Sequence, residues 1–179
     1  MIQTFGSAMS NDVLHNTLID RGIRLLGHVI AWCVPVMAVT VCVIVILRYG
    51  FNTGAIAAQE SVQYLHAALF MLGAAVTMGA DQHVRVDVFY RHFNPRQQAW
   101  VNTLGHIIFT LPLCVLIGVG SFGYVVDSWS ARETSPEPGG LPLVYVLKTL
   151  IPAMAVLLGL QAIAHIGRGL NVLRHEDPS

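Results

Sequence analysis

Four stretches of this chain are long and apolar enough to cross a lipid bilayer, and that narrows the possible folds to one class. A spanning helix needs about 20 mostly apolar residues. Residues 25–47, 57–80, 100–126 and 143–166 each meet that length. The first, from Leu25 to Leu47, holds no Asp, Glu, Lys or Arg. The second is the least apolar and carries Gln59, Glu60, Gln63 and His66. Hydrocarbon offers no water to backbone N–H and C=O groups, so each span must satisfy them internally, as a helix does. The chain is 54% apolar and 11% charged, whereas soluble domains average about 25% charged residues. The expected fold is an all-α membrane protein, with four transmembrane helices forming one domain over residues 1–179. Pro35, Pro112 and Pro152 fall inside spans. Each removes a backbone donor, so each predicts a kink.

Orientation follows from where the Lys and Arg residues lie in the short loops. Arg21 and Arg24 precede the first span. Arg85, Arg91 and Arg96 separate the second and third, and Arg168 and Arg174 follow the fourth. Those seven share one side of the membrane; Arg48, Arg132 and Lys148 fall toward the other. The positive-inside rule then puts both termini in the cytoplasm. Residues 1–20 have no basic region before a short apolar core, so they do not read as a signal peptide, and the first span is expected to remain as an anchor. Net charge is zero, which gives no reason to expect nucleic acid. Cys33, Cys42 and Cys114 lie in apolar runs without CxxC spacing and read as small buried hydrophobes.

The linker from Asp81 to Gln98 places Val86, Phe89, Tyr90 and Phe93 on one helical face, and Arg85, Asp87, Arg91 and His92 on the other. This predicts an amphipathic helix lying at the inner membrane surface between helices 2 and 3. Asn94, Pro95 and Gln97 then read as a helix start: a cap, a first-turn proline and a capping-box partner. The stretch 127–142 is rich in Pro, Gly and Ser and predicts an irregular outer loop. Tyr124 and Trp129 stand near its membrane edge, as an aromatic belt would have them.

Ionisable residues within spans raise functional hypotheses because they are costly there. Glu60 and Lys148 lie at matched depth, one to two turns below the outer surface at about 1.5 Å per residue. The expectation is that Glu60 pairs with Lys148, or with Arg48 at the end of the first span. The competing expectation is that each long side chain snorkels to the interface alone. Gln59, Glu60, Gln63 and His66 share about a third of the helix circumference, so the second helix has a polar stripe that should avoid lipid. Ala75 with Gly79, and Ala155 with Gly159, have the spacing of close helix contacts.

Each span also carries one histidine: His28, His66, His106 and His165. A membrane b-type cytochrome would show such a pattern. Three of the four lie near the inner ends, which leaves room for at most one axial pair; interhelical or interfacial histidines are the simpler account. No hydrolase, zinc, Walker or dinucleotide motif is present. No inverted repeat marks a free-standing transporter. The residues alone therefore describe a small, non-enzymatic membrane subunit that needs a partner.

Several motifs, in order, resemble the small, DctQ-like membrane subunit of tripartite ATP-independent periplasmic (TRAP) transporters. They are Arg48-Tyr49-Gly50-Phe51; Gln59-Glu60 with Ala68 to Ala74; His83-Val84-Arg85-Val86-Asp87-Val88-Phe89; and Ser135, Leu141-Pro142, Lys148 and Ile151-Pro152. The resemblance covers roughly Arg21 to Gly167. It implies a bacterial inner-membrane protein of a secondary transporter, without cofactors. It further implies a large membrane subunit that carries the substrate and ion sites, and a periplasmic binding protein that delivers an organic acid. In that setting Arg48, Glu60, Gln63, Arg85, Asp87 and Lys148 are candidate assembly and anchoring residues rather than catalytic ones.

Overall fold

The computed structural model describes residues 18–79 and 93–175. Its elements, in chain order, are α1 (Leu18–Ala31), α2 (Cys33–Gly50), α3 (Ile56–Gly79), α4 (Pro95–Gly105), a π turn (His106–Thr110), α5 (Leu111–Ser130) and α6 (Val144–His175). Adjoining pieces combine into four helical stretches long and apolar enough to cross a membrane: Arg21–Gly50, Ile56–Gly79, Arg96–Ser130 and Val144–Arg174. Each contains one of the four apolar runs, nearly whole. The protein is therefore an all-α, multi-pass membrane protein.

Proline explains two departures from regular helix. Pro35 has no N–H to give the Ala31 carbonyl. The chain breaks there: the Trp32 N–H reaches only to Val29 O, at 3.2 Å, and α2 resumes with Val36 N–H on Trp32 O, at 3.3 Å. Pro112 likewise cannot serve Ile108. Just before it the chain loosens into the π turn, where the Leu111 N–H bonds to His106 O. Such insertions relieve a helix that loses a rung of its ladder. Pro152 differs, since α6 runs through it without interruption.

Helix ends follow local chemistry. At the start of α4 the Asn94 N–H donates to Gln97 Oε1 at 3.0 Å, with Pro95 in the first helical position as expected. At the end of α2, Asn52 adopts the left-handed conformation with φ 52°, and the Thr53 N–H returns to Leu47 O at 3.1 Å. Asparagine tolerates that conformation better than most side chains. The amphipathic helix expected in the linker, with Arg85, Asp87 and the face Val86, Phe89 and Tyr90, falls outside the described residues.

Helix α6 is the hub. It packs against α3, α4 and α5, while α1 and α2 pack on α3. Small residues let the backbones approach. Ala75 and Ala155 are buried. A methyl group added at Gly118 would lie 3.8 Å from the Ala155 Cβ, and one at Gly159 would lie 3.8 Å from the Cys114 Cβ. At the α3–α6 contact, Gly79 faces Gln161, which is fully buried. Helix α2, by contrast, has no buried residue. Its valines face outward, which suits lipid or another protein but not water.

Candidate functional site

The loop between α5 and α6 is fastened to the bundle by two carboxylates. The first is Glu60, in the second turn of α3. Its Oε1 accepts a hydrogen bond from Ser135 Oγ, and its Oε2 accepts one from the Leu141 N–H at 2.6 Å. The Ser135 N–H in turn donates to Leu141 O at 3.2 Å, and Ser135 Oγ accepts from the Glu137 N–H at 3.1 Å. One carboxylate thus holds both ends of the segment 135–141. Backbone N–H groups near hydrocarbon need an acceptor, and an ionised carboxylate is a strong one.

Two glycines make this clasp possible. Gly139 has φ +82°, in the left-handed region, and the Gly140 N–H closes a turn on Glu137 O at 2.9 Å. A methyl group on Gly140 would lie 2.7 Å from Glu60 Oε1 and 2.5 Å from Ser135 Oγ. Only glycine lets the carboxylate approach so closely.

The second carboxylate is Glu133. It accepts from Lys148 Nζ, while Ser128 Oγ donates to its Oε2 at 2.7 Å. The Lys148 ammonium also sits over the Tyr124 ring, 3.8 Å from its centroid, in a cation–π contact. Beside it Trp129 Nε1 donates to Thr149 Oγ1 at 2.8 Å and meets the Tyr145 ring edge-on. The hydrogen bond from Lys148, then that from Ser128, holds the Glu133 carboxyl below its ordinary value. A depressed carboxylate pKa adds stability above the unfolded value and loses it as pH falls through the folded value. The Glu133 contacts should therefore weaken as pH falls below the usual carboxylate range. Glu133→Gln should remove that acid-dependent step from a proteolysis-versus-pH curve.

Glu60 and Lys148 lie at similar depth, but they do not pair. Glu60 faces the far end of the loop, where donors are already present. Lys148 lies under the loop's first residues, where Glu133 reaches it. Arg48 does not pair with Glu60 either; it stays exposed in the last turn of α2, where its charge complements the helix dipole. Helix α5 also continues through Ser130, so residues 127–130 of the expected loop are helical. Ser135 and Leu141 carried a signal as part of the family motif. Glu133 carried none, because a single glutamate in a polar loop has no periodicity to mark it.

Along α3, Gln59, Gln63 and His66 are exposed, and Phe70 and Thr77 continue the same face. The polar stripe thus divides: Glu60 turns toward the loop, and the others point away from the bundle. A groove of about 420 Å³ follows this face past His66, Phe70, Gly73 and Thr77.

At the opposite end His106 and His165 are in contact, with ring centroids 5.2 Å apart and planes 33° apart. His165 Nε2 donates to Met78 O at 3.0 Å, tying α6 to α3. A bis-imidazole haem needs its two rings on opposite faces of a macrocycle, each aiming a nitrogen at the iron. These rings touch each other, and one nitrogen is turned to the backbone. The pair does not fit that cofactor. His28 and His66 are exposed. Among the described residues no three His, Cys, Asp or Glu side chains cluster as metal ligands.

Comparison with known proteins agrees with the architecture. The family model described as "Tripartite ATP-independent periplasmic transporters, DctQ component" matches residues 37–172. A Haemophilus influenzae protein with the provisional name TRAP transporter small permease protein is 35% identical over 86 residues. That alignment covers 48% of this chain and 53% of the relative, so the chain spans about half the length of the curated relative it matches. No solved structure matches. The family match extends over most of the chain and includes the clasp residues Glu60, Ser135 and Leu141: the chain belongs to the DctQ component family of tripartite ATP-independent periplasmic transporters.

Proposed function

We propose that this chain is the non-catalytic small permease subunit of a TRAP-type secondary transporter in a bacterial inner membrane. It scaffolds a large membrane subunit that performs ion-driven uptake. A periplasmic binding protein delivers the substrate, an organic acid. Both termini face the cytoplasm, and the α5–α6 loop faces the periplasm. Glu60 and Lys148 set the shape of that loop, while Arg48, Gln63, Arg85 and Asp87 serve assembly and anchoring.

One observation carries the scaffold reading. Gln59, Gln63 and His66 are exposed on a membrane-crossing helix. Polar side chains facing bare hydrocarbon are costly, and interhelical hydrogen bonds between membrane helices contribute about 0.6–2 kcal/mol each. A partner that covers this face of α3 removes that cost. Exposed α2 and the groove beside Phe70 extend the same surface.

Assembly tests the reading. Co-expressed with a large TRAP membrane subunit, the full chain should purify as a stable complex. The double variant Gln63→Leu/His66→Leu should reduce recovery of the partner several-fold while the chain itself still inserts. Equal recovery would move the interface elsewhere. Orientation is tested separately: a reporter fused to the C-terminus should be active only in its cytoplasmic form.

A further inference from the structure

One face of α3 is left uncovered by the bundle, and its spacing is regular. The exposed residues of this helix are Gln59, Gln63, His66, Phe70 and Thr77. Half-buried Gly73 stands between the last two. Successive members are therefore 4, 3, 4, 3 and 4 residues apart, the heptad spacing with which one helix meets another along a seam. Thr77 lies 18 residues beyond Gln59. At 3.6 residues per turn that is about five whole turns, so the line stays on one side of a straight helix. It rises about 27 Å, close to the hydrocarbon thickness of about 30 Å. The seam thus runs the depth of the membrane.

Its chemistry is graded. Gln59, Gln63 and His66 occupy the half nearer the α5–α6 loop, and an acyl chain offers none of them a hydrogen bond. In the other half Phe70 is 72% exposed and projects from the helix. Beside it runs the groove past Gly73 and Thr77, where Gly73 has no side chain to fill the space. A projecting ring next to a hole is what lets an opposing helix interlock. The outward groove on α5 is different. Its lining, which includes Leu111, Val115, Leu116 and Val119, holds no polar side chain, so hydrocarbon itself can cover it.

Given the subunit role proposed above, we infer that the large subunit lays one membrane helix lengthwise along this seam. The two helices pack left-handed, crossing at about 20°, the geometry that heptad spacing produces. The partner helix carries hydrogen-bonding side chains opposite Gln59, Gln63 and His66, and a bulky apolar side chain over Gly73. Lipid does not fit, because it cannot satisfy the two glutamines and the imidazole. A second copy of this chain fits poorly. In a parallel twofold pair Phe70 would meet Phe70 and Gly73 would meet Gly73, which leaves the groove unfilled. A steep right-handed crossing would touch only a turn or two of α3 and leave the remaining polar side chains in hydrocarbon.

Site-specific photocrosslinking tests this. The full chain, co-expressed with a large TRAP membrane subunit, would carry benzoylphenylalanine at one position at a time: Gln59, Gln63, His66, Phe70 or Thr77. The exposed α5 positions Leu116 and Val119 serve as comparison. All five seam positions should crosslink to the large subunit, several-fold more than the α5 positions. The crosslinked peptides should follow one another along a single span of the partner, in the order of the seam. Crosslinks confined to one or two turns of α3, or scattered over several partner spans, would overturn the lengthwise seam. Crosslinks to a second copy of this chain would overturn the choice of partner. If the complex purifies but the α5 positions crosslink as strongly as the seam, the seam is not the interface, while the subunit role stands. If no complex forms, both fail.

Discussion

Replacing Glu60 by alanine should lower the stability of the folded chain by roughly 2–4 kcal/mol, the largest single effect expected here. The substitution removes two acceptor oxygens at once. The Leu141 N–H loses its partner, and Ser135 loses the anchor that ties it to α3. Hydrogen bonds to charged groups contribute about 1.5–3 kcal/mol each, and a stranded donor adds a desolvation penalty. The two contributions are not additive, because both serve one turn. Thermal unfolding in detergent should show a lower Tm, and limited proteolysis should show faster cleavage within residues 131–143. Glu60→Gln should fall between wild type and alanine, because it keeps one acceptor oxygen. Gly140→Ala should approach the alanine variant, since the new methyl group would crowd Glu60 Oε1 and Ser135 Oγ. If Glu60→Ala unfolds at the wild-type temperature, the clasp does not support the loop.

The second large effect is expected at the α3–α6 contact. A methyl group on Gly79 would lie 2.1 Å from Gln161 Nε2, and Gln161 is fully buried. On a surface, a glutamine could swing away. Here the side chain is enclosed between the helices, so its amide end must rotate within the contact or the helices must separate. Overpacking of this kind costs about 1–3 kcal/mol. Gly79→Ala should therefore lower Tm measurably, and Gly79→Ala/Gln161→Ala should recover part of the loss by making room. Recovery is the informative result. A double variant less stable than Gly79→Ala by the full cost of Gln161→Ala would mean that the two residues do not meet.

The sequence made some of this visible and hid the rest. The four spans were legible because hydrocarbon demands long apolar runs, a constraint no tertiary contact relaxes. The start at Asn94-Pro95 was legible because capping is local chemistry. Their ends were less so: α6 continues to His175, past the apolar run that ends at Ile166, because helix propensity persists outside the membrane. Glu60 stood out as a buried-depth carboxylate, but its partners did not. Depth along a helix can be counted from sequence, whereas the direction in which a side chain points around the bundle is set by packing. Equal depth made Lys148 look like a partner; azimuth gave it to Glu133. The split of the polar stripe has the same origin. The contact between His106 and His165 falls where the π turn begins, and counting along each helix cannot show that two rings on different helices face each other.

On the scaffold reading proposed above, the clasp and the exposed stripe are two surfaces of one subunit, a loop fastened at one membrane face and a polar helix face for a partner to cover. Uptake by reconstituted vesicles tests this most directly. Vesicles containing the large subunit with this chain, supplied with the binding protein and an ion gradient, should accumulate the organic acid. Vesicles with the large subunit alone should not, and vesicles with this chain alone should transport nothing. Full uptake without this chain, or uptake by this chain on its own, would contradict the account.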